Sequence, residues 1–433
     1  MKYSQTRTLW HRSLRRLASL LPRDTRFSLY RSMVVCDDTP DPRLLLKIAQ
    51  TKEELEACFK LLHDTYVEAR LMTANASGLR VTPYHALPST TMLCAKFDGK
   101  IVGTLSLIRE GIFGFPLQRH FDLSAVRTRG GNIAQASELA IDPQFRRDGA
   151  ILFPLMKFMY TYCTGYFDTR HLIAAVSQDR MEMFESLLLF QRIAEGPAVK
   201  LDFVNGAPAF GAALDLSLAP PRFAQAYAGK KLSNDLHHYF TQTVLPNIEL
   251  PQRHFHTTND PVMTPPLLDY FFNQRVQVLA TLDARKKVLL HSIYNLAAYQ
   301  GVLPGLPGEW QHQHPLRRHQ RFSIKFPAVL SLAVAGKRET YALDIIELSE
   351  YGFRALSRRS IPLDTWGEIS IELGHSDIST LKVAAVRLKT HALGTFYSFQ
   401  LAEPDLPWRI AVHALEAGTT GEDLARATSV LTG

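Results

Sequence analysis

The chain has 433 residues, of which 46% are hydrophobic and 21% charged, and its formal net charge is +8. This length exceeds one ordinary core and predicts two or three domains, while the composition excludes a disordered chain. No stretch approaches the run of roughly 18 apolar residues that a membrane-spanning helix needs.

The basic excess is concentrated at the start, in residues 1–43. Lys2, Arg7, Arg12, Arg15, Arg16, Arg23, Arg26 and Arg31 face a single acid, Asp24, before residue 32. Trp10, Leu14, Leu17 and Leu21 recur among them at helical spacing, which predicts a basic amphipathic helix. The apolar patch 17–21 is too short for the core of a signal peptide, so a cytoplasmic protein is expected. Two readings of this arm stand: a solvated tail, or a docking element for an acidic partner or an anionic membrane surface. No stacking aromatics are interleaved with the cations and no nucleic-acid motif follows, so DNA and RNA are not expected partners.

From 44 to 219 helix and strand patterns alternate. Residues 51–69 have the apolar period of a helix, with Glu53 and Glu54 in its first turn. Residues 91–97 and 100–108 read as strands joined by Asp98-Gly99, a strong two-residue hairpin signal. A strand at 133–141, an apolar helix at 150–166, a strand at 171–176, a short helix at 181–189 and a strand at 212–218 complete a mixed order, which predicts an α+β domain. Residues 220–311 carry helical patterns at 223–244 and 266–299 and read as a helical connector. From 312 to 433, and most clearly over 322–402, short strands punctuated by turns predict a small antiparallel β-barrel. Cys36, Cys58, Cys94 and Cys163 form no C-x-x-C pair, so buried free thiols are expected. His254, His256, His312 and His314 lack supporting carboxylate or cysteine ligands, and no metal site is expected.

Three features of the first domain suggest acyl transfer. Glu138 interrupts an apolar strand, where desolvation would raise its pKa and suit it to deprotonate an ammonium. Arg146, Arg147 and Gly149 lie between that strand and a helix, where loop and helix N-terminus together make a phosphate site. The helix that follows is apolar enough to flank a lipid-accepting tunnel.

These features resemble the GNAT acyltransferases and, more narrowly, the N-acyl amino acid synthase (FeeM-like) family, related to the acyl-homoserine-lactone synthases. The resemblance rests on His63-Asp64-Thr65-Tyr66-Val67-Glu68, Gly78-Leu79-Arg80, Leu87-Pro88-Ser89-Thr90-Thr91, Val102-Gly103-Thr104-Leu105, Ser137-Glu138-Leu139-Ala140-Ile141-Asp142 and Val204-Asn205-Gly206-Ala207-Pro208-Ala209. It implies transfer of a long acyl chain from acyl carrier protein to an amino acid amine. Glu138 would be the base or the amine-orienting carboxylate, and Arg146, Arg147 and Gly149 would hold the phosphopantetheine phosphate. A splayed strand near Ala140 and Ile141 would aim backbone N–H groups at the thioester oxygen. Two departures stand out. Ile151 replaces the small residue that closes the family's phosphate loop, which speaks for a carrier-protein phosphate over coenzyme A. Phe184 stands where relatives have a tyrosine hydroxyl.

In the last domain, Arg317-Arg318-His319-Gln320-Arg321 precedes the first barrel strand and Glu347-Leu348-Ser349-Glu350-Tyr351-Gly352 lies between two later ones. Together they resemble the PilZ family, with its R-x-x-x-R and [D/N]-x-S-x-x-G motifs, and so imply a cyclic di-GMP site. Arg317, Arg318 and Arg321 would clamp phosphates and guanines, while Glu347, Ser349 and Gly352 would form the barrel side. Glu347 departs from the family's Asp or Asn. The whole reads as an N-acyltransferase regulated by cyclic di-GMP. The alternatives are a non-catalytic cyclic di-GMP effector whose GNAT-like domain binds lipid or protein, and an acyl-homoserine-lactone-type signal synthase.

Overall fold

The computed structural model describes residues 21–111, 113–146, 149–167, 169–251, 260, 263–294, 296–306, 322–334, 336–374, 377–391 and 394–417. The chain divides into two units. One comprises residues up to Arg80, Met92–Glu110 and Gly114–Glu249; the other comprises Val81–Thr91, Gly111–Phe113 and the residues from Leu250 on.

The first unit opens with helix α1 (Arg23–Ser32), strand β1 (Leu44–Ile48) and helix α2 (Lys52–Glu68). Thr51 starts α2 with a reciprocal capping box to Glu54, the device that Ser or Thr followed three residues later by Glu encodes. Strands β2 (Thr90–Phe97) and β3 (Lys100–Arg109) follow, and both residues between them are left-handed, Asp98 at φ 47° and Gly99 at φ 77°. A turn of that hand matches the twist of the flanking strands. A single turn α3 (Ser124–Arg127), strand β4 (Asn132–Ile141), helix α4 (Leu152–Tyr166), strand β5 (Thr169–Ser177) and helix α5 (Met181–Leu187) come next. Strands β6 (Gln191–Arg192), β7 (Val199–Leu201) and β8 (Ala207–Asp215) and helices α6 (Ala219–Tyr227) and α7 (Leu236–Thr241) complete it.

The sheet runs β1-β2-β3-β4-β5-β8-β6, with β7 also on β8. Among its registered pairs β4–β5 is parallel and the others are antiparallel. The predicted mixed α+β domain is therefore the observed one. The 223–244 pattern resolves into the two short helices α6 and α7, because Ala228 and Lys231 between them are extended or otherwise non-helical.

The basic arm has an internal use that its sequence did not suggest. Arg23 pairs with Glu185 at 3.3 Å, Arg26 with Glu182, and Arg31 Nε donates to the Ser186 carbonyl at 2.9 Å. Arginines 23, 26 and 31 thus anchor α1 on α5. The preceding basic residues, Lys2 to Arg16, lie outside the described residues.

In the second unit the 266–299 pattern is likewise broken, into α8 (Pro265–Asp269), a π-helical turn Tyr270–Arg275, and α9 (Ala284–Ile293). Val81–Thr91 is tied to this region: Tyr294 Oη donates to the Ala86 carbonyl, Thr91 to the Asp260 carboxylate, and Asp260 N–H to the Pro88 carbonyl at 2.9 Å. Strands β9 (Phe322–Val334), β10 (Lys337–Ser349), β11 (Gly352–Ser357), β12 (Trp366–Gly374), β13 (Asp377–His391) and β14 (Gly394–Leu401) close into a barrel in the order β10-β11-β14-β13-β12-β9. Alternate residues such as Leu330, Ile345, Ile369, Val383 and Phe399 fill it, and Trp408 of α10 (Leu406–Ala417) is buried with them. Closure leaves no edge strand among the described residues of this barrel.

The four cysteines are buried free thiols. Among the described residues no helix is long and apolar enough to cross a membrane, and no cluster of three metal-ligating side chains occurs; His254, His256, His312 and His314 fall outside those residues.

Candidate functional site

Two facts about β4 locate the first site. β4 pairs with β5 only from Asn132↔Thr169 to Ala136↔Ala174, so the two parallel strands part after Ala136. On its other side β4 pairs with β3 as Ser106↔Ser137 and Thr104↔Ala140, which leaves Glu138 and Leu139 opposite Leu105. That extra residue is a β-bulge, and Glu138 within it has φ +54°. A left-handed non-glycine residue costs of order 1–3 kcal/mol and persists only where its surroundings fix it.

The surroundings are polar. Glu138 is buried at 8% exposure, yet its Oε1 accepts from Arg80 Nε at 3.1 Å and its Oε2 from the Ser106 hydroxyl at 3.1 Å. Arg80 donates also to the Phe203 carbonyl at 3.4 Å, and its guanidinium lies 4.3 Å from the centre of the Tyr66 ring. Burial together with the Glu138 carboxylate pushes the Tyr66 hydroxyl pKa well up, so that phenol stays protonated. The expectation of a carboxylate in an apolar surround is therefore corrected: Glu138 is one half of a buried ion pair. Arg80, Ser106 and Tyr66 were not identified as site residues from sequence, although Arg80 and Tyr66 lie in the motifs quoted above. Their signal is faint because they reach Glu138 from three separate segments.

The loop after β4 holds the other predicted residues. Arg146 Nε donates to the Ile141 carbonyl at 2.8 Å and its other arm to Glu68 at 2.9 Å. Such a half-exposed pair is worth at most about 1 kcal/mol, so an incoming phosphate can compete for the guanidinium. Gly149 has φ +74°, and a Cβ there would stand 2.6 Å from the Phe153 ring, so the position requires glycine twice over. Arg147 lies outside the described residues.

Ile151 is buried, and its Cγ2 lies 2.7 Å from where a Cβ on Gly103 would be. Its bulk is accommodated by that glycine of β3. The side chain packs on the sheet. Phe184 stacks edge-on against Phe190 at 5.5 Å and is a packing residue. Beside α4, Met156, Met159, Leu172, Leu214, Phe223 and Phe240 line an apolar cavity of about 40 Å³. That is room for two or three water-sized groups, roughly, and a long acyl chain would need these side chains to move.

On the barrel the motif residues have visible jobs. Ser349 pairs with Gly352 at the end of the β10–β11 hairpin, and its hydroxyl donates to the Gly352 carbonyl at 3.0 Å. A Cβ on Gly352 would come within 2.8 Å of the Phe399 carbonyl of β14, so the close approach this glycine permits is to a neighbouring strand. Trp408 Nε1 caps the hairpin by donating to the Glu350 carbonyl at 3.0 Å. Glu347 follows a bulge in β10 and faces Arg354 across the ladder, with the carboxylate and guanidinium 3.3 Å apart. Arg317, Arg318 and Arg321 lie outside the described residues.

A mixed sheet that opens beside a strained carboxylate, followed by a glycine loop and a helix, is a GNAT-like fold; a closed six-stranded antiparallel barrel follows it. Residues 57–215 match the family model described as N-acyl amino acid synthase FeeM. Among solved structures, the chain is similar to FeeM, an N-acyl amino acid synthase from uncultured soil microbes, at 24% identity and TM-score 0.35, over 42% of this chain and 95% of that one. It is similar to the coenzyme A-dependent acyl-homoserine lactone synthase BjaI at 19% identity and TM-score 0.36, over 48% and 95% of the two chains. It is also similar to YcgR of Escherichia coli, solved in complex with cyclic di-GMP, at 17% identity and TM-score 0.20, over 26% and 50%. No curated protein matches the sequence.

Proposed function

We propose that the first unit transfers a long acyl chain from acyl carrier protein to the amine of an amino acid, and that cyclic di-GMP at the barrel regulates this transfer. The observation that carries the reading is Glu138, held in a left-handed bulge where β4 leaves β5, within a segment matching the FeeM family. The amine nitrogen attacks the thioester carbonyl carbon; the C–N bond forms, the C–S bond breaks and a thiolate leaves, which takes its proton from water. Glu138 orients the amine and takes the proton that nitrogen loses, directly or through water, while Arg80 and Ser106 hold the carboxylate in place. Backbone N–H groups near Ala140 and Ile141 face the developing oxyanion, and Arg146, Arg147 and Gly149 hold the phosphopantetheine phosphate. Arg317, Arg318 and Arg321 close on cyclic di-GMP against the barrel face bearing Glu347, Ser349 and Gly352.

Acyl-product analysis tests this. Purified chain is incubated with one acyl group on carrier protein or on coenzyme A, a mixture of amino acids, and cyclic di-GMP present or absent. N-acyl amino acids formed faster from the carrier-protein donor, at a rate changed by the nucleotide and lost in Glu138→Gln, are expected. Equal use of both donors would overturn the carrier-protein assignment. No product from any amine would make the first unit a binding module.

A further inference from the structure

The outward face of the barrel around Glu347 has a composition that its motif does not explain. Row by row across the strands, Glu347 of β10 faces Arg354 of β11, Arg354 faces Ser398 of β14, and Ser398 faces Arg387 of β13. In the neighbouring row Asp344, Leu356, Phe396 and Lys389 stand in the same order. Arg387 and Lys389 are exposed, while Arg354 and Phe396 are half-buried. The Arg354 guanidinium lies 5.7 Å from the centre of the Phe396 ring and 3.3 Å from Glu347. An aromatic ring and three cations thus share one outward face with two acids, Glu347 and Asp344, and the nearer acid is already turned to Arg354.

We infer that Arg354 is the residue of this barrel that reads guanine, and that Glu347 is a positioning residue which holds the Arg354 guanidinium. The inference rests on the cyclic di-GMP reading above and deepens it. A carboxylate that accepts from an arginine offers less to guanine N–H groups, so the unusual Glu at the motif's first position acts through its cross-strand partner. The longer side chain of Glu serves that reach. A guanidinium held at one nitrogen keeps a planar fork of donors for the O6 and N7 acceptors of guanine, and its face can stack on a base. Phe396 beside it supplies a second stacking surface, and Arg387 and Lys389 supply positive charge for the ligand's phosphates.

Calorimetry on the full chain with cyclic di-GMP and cyclic di-AMP separates the possibilities. Adenine carries an amine donor where guanine has O6, so Arg354 makes the bidentate contact only with guanine. Arg354→Ala is expected to weaken cyclic di-GMP binding by roughly ten- to a hundredfold and to erase most of the preference over cyclic di-AMP. Arg354→Lys, which keeps the charge without the fork, should lose the same preference, and an unchanged melting temperature shows that it remains folded. Glu347→Gln should weaken binding in the wild-type background and have no further effect on top of Arg354→Ala, because the two act as one unit. Additive losses would place Glu347 directly on the ligand and overturn the inference, as would undiminished guanine preference in Arg354→Lys. Absence of cyclic di-GMP binding by the unaltered chain would instead remove the ligand reading on which the inference stands.

Discussion

Glu138 and Arg80 are separated by 58 residues of sequence and joined by a hydrogen bond between buried groups. Breaking such a pair from one side leaves the other charge buried without its counter-ion, which typically costs about 3–5 kcal/mol. Arg80→Ala is therefore expected to lower both the melting temperature and turnover, whereas Arg80→Lys should recover stability more than rate, since an ammonium cannot reproduce the planar fork. Glu138→Gln keeps shape and should cost turnover roughly a hundredfold or more. If Glu138 accepts the amine's proton, raising the pH should restore part of the rate in this variant, since more of the amine is then already neutral. A pH-independent deficit in kcat would limit Glu138 to orienting the amine. Steady-state rates against pH for the three variants read these outcomes.

At the scale of elements, α2 depends on Glu54 as well as on its apolar face. Burial pushes the Glu54 carboxyl up, but hydrogen bonds from Lys96, the Gln50 N–H and Lys47 outweigh it and hold the pKa at about 2 against an ordinary 4.5. Because the folded value is depressed, this stabilisation is fully present above pH 4.5 and is lost as pH falls toward 2. Glu54→Gln should therefore lower stability near neutrality and flatten the loss of stability over that acid window, as denaturant midpoints at several pH values would record. The fit between β3 and the start of α4 is likewise a matched pair. Ile151 fills the space that Gly103 leaves, so Gly103→Val should destabilise by about 1–3 kcal/mol through overpacking, seen as a lower melting temperature.

For the whole molecule, the order of the chain does not follow its division into two units. Val81–Thr91 belongs to the unit that includes the barrel, while its chain neighbours Arg80 and Met92 belong to the unit that includes Glu138. Tyr294→Phe removes the hydrogen bond that ties Ala86, worth about 1 kcal/mol. The expected outcome is a modestly lower melting temperature, since the tie lies within the second unit. An unchanged melting temperature would show that this hydrogen bond adds nothing to the stability of that unit.

The sequence by itself determined the elements whose signals are local. Asp98-Gly99 dictated a hairpin, Thr51 and Glu54 a helix start, and alternating residues from Phe322 onward a barrel, because turn chemistry, capping and side-chain period act within a few residues. Glu138 was legible as a candidate because a carboxylate in an apolar strand is conspicuous. Only the tertiary structure decided its partners: Arg80 from the segment after α2 and Ser106 from β3 meet it through folding, with the Tyr66 ring of α2 against the Arg80 guanidinium. The helical patterns at 223–244 and 266–299 look continuous in sequence, yet local breaks and packing divide them. Arg23 and Arg26 read as free positive charge until α5 brought Glu182 and Glu185 against them. Arg354 became visible beside Glu347 only once β-register placed them opposite one another. Periodicity reports which face of an element is buried; which charges and hydroxyls meet there is set by long-range pairing, which no local pattern encodes.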